Sequence, residues 1–466
     1  MDKHSAPKID IDIDQLISVD FSTNEQLKES LFLRFRKEQL PLRLAATMLA
    51  TIKADPENLD VVLGLQQVLI YKIGECDLRI ARLNKAQKRI PRILARPEFR
   101  LGGAAIKARS TNLKRLREGI MDRIKEVRHL AYLWRCFGDG IAAVYQSQHA
   151  LRHLMYDKDY KVKATAGALF GKEGFGHEYA ILEKGIAMGV PVVMSDLTNI
   201  IRHGDVCALA GPDPYPIELK LSHVTGGRVA RQAEQLQMIK TFFDNDEAAN
   251  FRGQKRVARL EVVTEEVHHR VMLNNGICRA LNEGFWSESP EPGLRYICYH
   301  TALKESPERI AKALDEWWLP AVWMTPLSPN LEWLPGYPFT LSMAPENAVM
   351  FMQESVSVVV LIDLEFIKKL FAARGIHCVW LMDGTHAGQI FLDPDDLLKG
   401  AWRFSQCLFQ RVSTEFLSLA GFVAERAELL RVKEMSASEF SAVDKDEIIE
   451  TAPSEWMEVR DFYRSG

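Results

Sequence analysis

The sequence predicts an α+β protein in three parts: a long N-terminal helical hairpin, a central α/β segment and a C-terminal mixed α/β region. Three observations carry this. Residues 24–145 hold few glycines and long runs of Leu, Ile, Ala, Arg and Lys. Residues 174–264 alternate helical stretches with short apolar runs bounded by Gly and Pro turns. From Phe285 onward, runs such as LRYICYH and SVSVVVLIDL alternate with helical stretches. A chain of 466 residues exceeds one ordinary domain. The expected divisions are 1–149 (helical, basic arm), 150–284 (central α/β), 285–432 (mixed α/β) and 433–466 (acidic tail).

Residues up to Thr23 read as a lead-in. Helices are expected over Asn24–Ile52, Asn58–Ile90 and Arg109–His149, the last two separated by ARPEFRLGG with its Pro97 and Gly102–Gly103. Two such helices pack antiparallel, as a hairpin or coiled-coil arm. In the central segment a helix is expected over Gly174–Met188, then the strands VPVVMSDL, IIRHGDVCALA and YPIELKLS. A helix over Arg228–Phe243, a strand RVARLEVVT and a helix over Glu265–Leu281 follow. Further on, strands are expected at LRYICYH, SVSVVVLIDL and GIHCVWLMDG. Helices are expected over Glu308–Trp318, Leu364–Ala373 and Leu397–Val423.

Hydrophobic residues make up 47% and charged residues 26%, as in a soluble globular protein. Net charge is -3, so any affinity for a polyanion must be local. It is local: between Arg79 and Arg128 sixteen Lys and Arg stand against four acids. The plain interpretation is a solvated helical face; the functional one is an arm that tracks a phosphate backbone by displacing counterions. Arg82, Lys85, Lys88 and Arg89 are its candidate contacts. The seven cysteines form no CxxC pair, so neither a zinc ribbon nor a disulfide framework is indicated. With an N-terminus unlike a signal peptide and no run long enough to span a bilayer, a cytoplasmic location and no membrane partner are expected.

The stretch from His203 to Lys240 concentrates the chemistry. Asp205 and Glu218 fall on successive strands about a dozen residues apart, enough for a hairpin with a modest loop. Alternation puts Glu218 and Lys220 on one face. Mg²⁺ takes oxygen ligands, commonly one or two carboxylates. Two carboxylates beside a lysine can therefore hold Mg²⁺ (or Mn²⁺) and direct a water at a phosphodiester. The carbonyl of Leu219 is a further oxygen. Plainer roles stand beside these: Asp205 as a strand-end residue, Glu218 and Lys220 as a surface ion pair worth little, and Arg228 and Arg231 as surface charges.

In the order helix, Gly-Asp strand, Glu-Leu-Lys strand, Arg-Gln helix, the chain resembles the PD-(D/E)XK, or restriction-endonuclease-like, nuclease superfamily. The resemblance covers about a fifth of the chain, from about Gly174 to about Thr264. It implies a mixed-sheet core of order αβββαβ and a Mg²⁺-dependent nuclease, with DNA as the expected substrate. Asp205 fills the Asp position, with Gly204 where the name-giving Pro would stand, and Glu218 and Lys220 fill (D/E)XK. A glutamate on the preceding helix is implied as well: Glu178, with Glu183 second and Glu173 also a candidate. A glutamine on the following helix is Gln232, with Gln235 as alternative. The metal ligands would be Asp205 and Glu218; Arg228 and Arg231 would meet the phosphate. A role in bacterial defence or DNA processing and a homodimer also follow from the resemblance and the arm. The competing expectation is a catalytically silent, nuclease-like scaffold whose working surface is the arm; a third is a helical interaction protein that binds no divalent metal.

Other motifs fail on spacing. GALFGKEG (167–174) has too few residues between its glycines for a phosphate loop. The glycines of FGDGIAAVY (137–145) suit close helix packing. Adjacent His268 and His269 face different sides of a helix, poor zinc geometry. Trp317, Trp318 and Trp323 suit a core or an interface better than base stacking.

Overall fold

The computed structural model describes residues 34–97, 103–157, 161–163, 168–169, 174–219, 227–252, 254–259, 264–302, 306–317, 321–330, 337–395 and 401–431. The chain divides into two compact units: Leu40–Val257 builds the first, while Ala258–Pro329 and the residues from Pro335 onward build the second. The basic hairpin and the segment carrying Asp205 both fall in the first of these units. The helix expected at the end of the central segment opens the second unit instead. The lead-in and the acidic tail from 433 lie outside the described residues.

In the first unit α1 (Gln39–Ala54) buries Leu42, Ala45, Ala46, Leu49 and Ile52, one stripe at helical spacing. Helix α2 (Leu59–Leu94) spans 36 residues, about 54 Å at 1.5 Å per residue. Its first half buries Val62 through Cys76; beyond Asp77 only Ile90 is buried. Helix α3 (Ala104–Tyr145) mirrors this: no described residue before Ile124 is buried, and Ile124 through Ile141 supply core side chains. The two helices pack against each other. The half with apolar spacing joins the core, and the half rich in Lys and Arg forms the arm.

Gly138 of α3 allows the closest approach in this unit. A Cβ there would lie 2.0 Å from the carbonyl oxygen of Leu197, so the helix backbone rests on the Ser195–Leu197 turn. Gly138→Ala is expected to cost about 3 kcal/mol by overpacking, read as a lower urea midpoint at unchanged slope. Gly119→Ala, with open space around its Cβ position, is the control and should gain about 0.5–1 kcal/mol in helix propensity. A Gly138→Ala protein as stable as wild type would show this contact to be loose.

The short α4 (Gln148–Leu151) follows, with Ser147 as its cap. Helix α5 (Phe175–Ala187) then precedes a three-stranded antiparallel sheet of β1 (Val192–Met194), β2 (Val206–Ala208) and β3 (Tyr215–Ile217), in that spatial order. Gly185 lets α5 settle on β1, its Cβ position lying 2.5 Å from Val192 Cγ2. The outer edge of β1 is closed by a side chain. Buried Gln66 of α2 donates to Val192 O at 2.8 Å and accepts from Met194 N–H at 3.1 Å, much as a neighbouring strand would. Helix α6 (Gly227–Asn245) leads to a two-stranded sheet of β4 (Glu247–Phe251) and β5 (Gln254–Ala258). Val193, Ile201, Cys207, Ile239, Phe242 and Phe251 belong to one buried cluster.

The element order α, β, β, β, α, β is thus present, but among the described residues the strands do not join into the expected mixed sheet. All three central strands are antiparallel, and the strand after α6 pairs with its own successor. Strand β4 was missed because DNDEAANF shows no apolar alternation. Asp246, Asn250 and Arg252 take positive φ there.

The second unit opens with α7 (Arg270–Glu283), five residues later than expected, because Glu265–His269 run as irregular chain with His268 bridged to Leu417. Its four-stranded antiparallel sheet has the order β6-β7-β9-β8, from β6 (Phe285–Glu291), β7 (Leu294–His300), β8 (Val322–Leu327) and β9 (Val356–Asp363). Helix α8 (Ser306–Glu316) precedes β8; α9 (Phe339–Ser342) and α10 (Pro345–Met352) precede β9. Helix α11 (Leu364–Ala372), capped by Asp363, leads to a second antiparallel sheet of β10 (His377–Trp380), β11 (His386–Phe391) and β12 (Ala401–Ser405). The expected long helix over 397–423 is instead β12, α12 (Gln406–Thr414) and the start of α13 (Leu419–Arg431). AWRFS pairs with β11, Ser405 caps α12, and Phe416 at φ 60° separates the helices.

Candidate functional site

Asp205 stands at the entry of the central strand β2, held from both sides. Its N–H donates to Ile217 O at 2.8 Å, and its carbonyl accepts from Ser195 N–H at 2.9 Å. Its carboxylate turns toward the end of β3, where Oδ2 accepts the Leu219 N–H at 2.7 Å. The residue between Glu218 and Lys220 is therefore tied to Asp205 by a charge-assisted bond. At Gly204 the backbone requires a glycine rather than the proline of the motif it was compared with. Gly204 has φ +76°, and a Cβ there would lie 2.9 Å from the backbone N and O of Ile217. Proline, locked near −65°, cannot take that conformation.

Glu218 directly follows β3, half-buried, and lines an open groove with residues of α6. Lys220 and the side chain of Arg228 lie outside the described residues. Arg231 is exposed near the start of α6, and Gln232 is half-buried one residue later. The alternative Gln235 is engaged elsewhere, donating to the Asp157 carboxylate. Glu178 is buried, at 6% exposure, in the first turn of α5, so it is no solvent-facing helix acid. Glu183, the second choice, lies on the same helix and approaches Tyr179. Among the described residues no three His, Cys, Asp or Glu side chains gather closely enough to hold a metal ion. Glu178 therefore does not complete a three-acid cluster with Asp205 and Glu218. The pair itself, with the Leu219 carbonyl, is an all-oxygen donor set of the kind Mg²⁺ accepts.

Two buried titratable groups, neither foreseen from the sequence, hold the loop that delivers Asp205. Asp139 of α3 accepts from Asn199 N–H at 2.7 Å, Ile200 N–H at 2.9 Å and Asn199 Nδ2 at 2.8 Å. Burial nevertheless pushes its carboxyl up to about 6, outweighing these bonds and the charge of Arg202. His203 sits with Nε2 2.9 Å from Tyr156 O and Nδ1 3.4 Å from Lys163 Nζ. Burial, reinforced by Lys163, lowers it to about 4.

The two shifts act in opposite directions on stability. A raised Asp139 contributes stability present below its ordinary value of 3.8 and lost as pH rises through about 6. A depressed His203 contributes stability present above 6.5 and lost as pH falls through about 4. Between pH 4 and 6 they offset each other. His203→Gln should gain on wild type by about 2–3 kcal/mol as pH falls from 7 to 4, and Asp139→Asn by a similar amount as pH rises over that range. Urea titrations at the two pH values check this; parallel curves for wild type and both variants would contradict it.

On the arm, Arg82, Lys85, Lys88 and Arg89 of α2 are all exposed. Positions 82, 85 and 89 share one helical face, which Arg92, also exposed, continues.

In the second unit the buried pair Arg411 and Glu415 is joined by Glu266 from the surface. Arg411 Nε donates to Glu415 Oε1 at 2.8 Å, Arg411 Nη2 donates to Glu266, and Tyr337 N–H donates to Glu415. The buried Arg411–Glu415 pair is thus hydrogen-bonded on both sides, as a buried ion pair must be. His269 bonds Glu291 at 3.1 Å, and Glu291 also receives Ser418 Oγ–H at 3.1 Å, so this histidine pins chain segments together. Trp323 packs edge-on against Phe409. All seven cysteines are free thiols, and no helix among the described residues is long and apolar enough to cross a membrane.

Sequence reasoning also passed over Tyr215 and Lys240, which flank the Glu218 groove. Tyr215, an aromatic opening a strand two residues after Asp213, was the only signal. No protein-family model, curated protein or solved structure matches this chain.

Proposed function

We propose that the chain is a divalent-metal-dependent nuclease that hydrolyses phosphodiester bonds of DNA. The observation that carries this reading is the bond from Leu219 N–H to Asp205 Oδ2, which ties the Asp205 carboxylate to the Glu218–Leu219 segment. Asp205 and Glu218 would hold Mg²⁺ or Mn²⁺, with the Leu219 carbonyl as a further oxygen. A bound ion would supply positive charge to the scissile phosphate. Lys220, two residues after Glu218 in the sequence, would orient the attacking water. Glu178 and Gln232 would support the site from the flanking helices. Arg228, Arg231 and the arm would meet the backbone phosphates. Two copies would bring two sites to a duplex, and light scattering with and without DNA reads that homodimer directly.

The test is cleavage of supercoiled plasmid, linear duplex, single-stranded DNA and RNA with Mg²⁺ or Mn²⁺, comparing wild type with Lys220→Ala. Metal-dependent cutting lost in the variant supports the reading and identifies the substrate. A folded protein that neither cuts nor binds metal sinks it. The second reading, a silent nucleic-acid-binding scaffold, is favoured by a different feature of the same bond: Asp205 already has a structural task as acceptor for a strand-end N–H.

A further inference from the structure

We propose that the groove between β3 and α6 is a subsite for one unpaired nucleotide, with Tyr215 as its stacking platform and Lys240 as its phosphate contact. This rests on the reading of Glu218 as part of a nuclease site. β3 is an edge strand of its sheet. Between it and α6 lies an open groove of about 330 Å³, lined by Tyr215, Ile217 and Glu218 from the strand side and Leu236, Gln237 and Lys240 from the helix. That volume is at the small end of ligand sites, which span roughly 300–1,000 Å³.

Three features select the occupant. Tyr215 is 51% exposed, a large aromatic left in solvent at the mouth of the groove. Lys240 holds it in place from one side: Nζ lies 4.0 Å from the ring centroid and donates to the phenol oxygen at 2.6 Å. A ring fixed on one face keeps the other for a base, and stacking accepts any base. The cation beside it suits the phosphate of the same nucleotide. Glu218 lines the same groove, so a strand seated on Tyr215 runs toward the carboxylate pair. The larger groove on the other flank of α6 has Glu234 and Glu247 in its lining and no cationic side chain, so it lacks the cation that Lys240 offers a phosphate here. The substrate class that follows is a single strand or a frayed duplex end.

The experiment measures binding of a fluorescein-labelled single-stranded DNA oligomer and of a blunt duplex of equal length. Full-length protein is used in EDTA, with circular dichroism as the check on folding. Tyr215→Ala is expected to weaken single-strand binding about tenfold, the usual effect of losing one stacked base. Blunt-duplex binding should stay within about twofold, and Tyr215→Phe, which keeps the ring, should stay close to wild type. Lys240→Ala should lower the salt slope by about one. Equal single-strand affinity in Tyr215→Ala and wild type overturns the proposal, as does a folded wild type that binds no single strand. The parent reading is judged separately by metal-dependent cleavage of any of the four nucleic acids named above, single-stranded or duplex. Cutting with no Tyr215 effect sinks the subsite alone; a Tyr215 effect on binding in a protein that neither cuts nor binds metal sinks the nuclease alone.

Discussion

Asp205→Asn is expected to reduce metal-dependent cleavage on the order of a thousandfold, the scale of losing one member of a catalytic unit. Folding and DNA affinity should be left nearly intact. The choice of amide matters. Asp205 accepts the Leu219 N–H at 2.7 Å, and asparagine keeps an oxygen able to accept it. Only the negative charge that a hard cation requires is removed. Asp205→Ala removes the acceptor as well, leaving a half-buried N–H unsatisfied at a further cost of about 1 kcal/mol. The stability difference between the two variants isolates the structural task of Asp205. The activity of Asp205→Asn isolates its chemical task. Glu218→Gln should match the asparagine variant in activity. Cleavage by Asp205→Asn at the wild-type rate would remove the carboxylate pair from the mechanism, and the scaffold reading would then stand.

The arm and the strands near Asp205 were legible for a simple physical reason: local periodicity decides them. Long runs of Leu, Ile, Ala and Arg cannot avoid being helical, and β7 matches LRYICYH residue for residue. What sequence could not supply was pairing. Neither DNDEAANF nor AWRFS alternates cleanly, so nothing local reveals that β4 pairs with β5 or that β12 pairs with β11; the neighbouring strand, not the segment's own pattern, makes each a strand. The same limit applies at the site. Asp205 and Glu218 could be found by type and spacing. Asp139 and His203 could not, since a carboxyl on a distant helix is assigned its task only by the loop that folds onto it. Gly204 lies between these cases. Its residue type hinted at a turn, but what requires a glycine there is the positive φ and the approach to Ile217.

Reversing the arm charges, with Arg82, Lys85, Lys88 and Arg89 all changed to Glu, is expected to weaken duplex binding a hundredfold or more at about 0.1 M salt. Each phosphate contact on duplex DNA releases close to one counterion, so losing four should flatten the salt dependence by roughly three to four. Net charge falls from -3 to -11, since four residues each change by two. Long-range repulsion adds to the loss, and the slope is what distinguishes contacts from bulk charge. The fold should tolerate the change, because all four side chains are exposed and none of them forms an ion pair with the described residues. A charge-conserving set, Arg82→Lys, Lys85→Arg, Lys88→Arg and Arg89→Lys, should bind as wild type does. If the reversed protein binds duplex with unchanged slope, the sixteen basic residues of this segment are a solvated surface and the phosphates are met elsewhere. If it loses binding and cleavage together while Asp205→Asn loses cleavage alone, grip and chemistry reside in separate parts of one unit. The arm's exposed half then explains why so many basic residues are kept clear of the core.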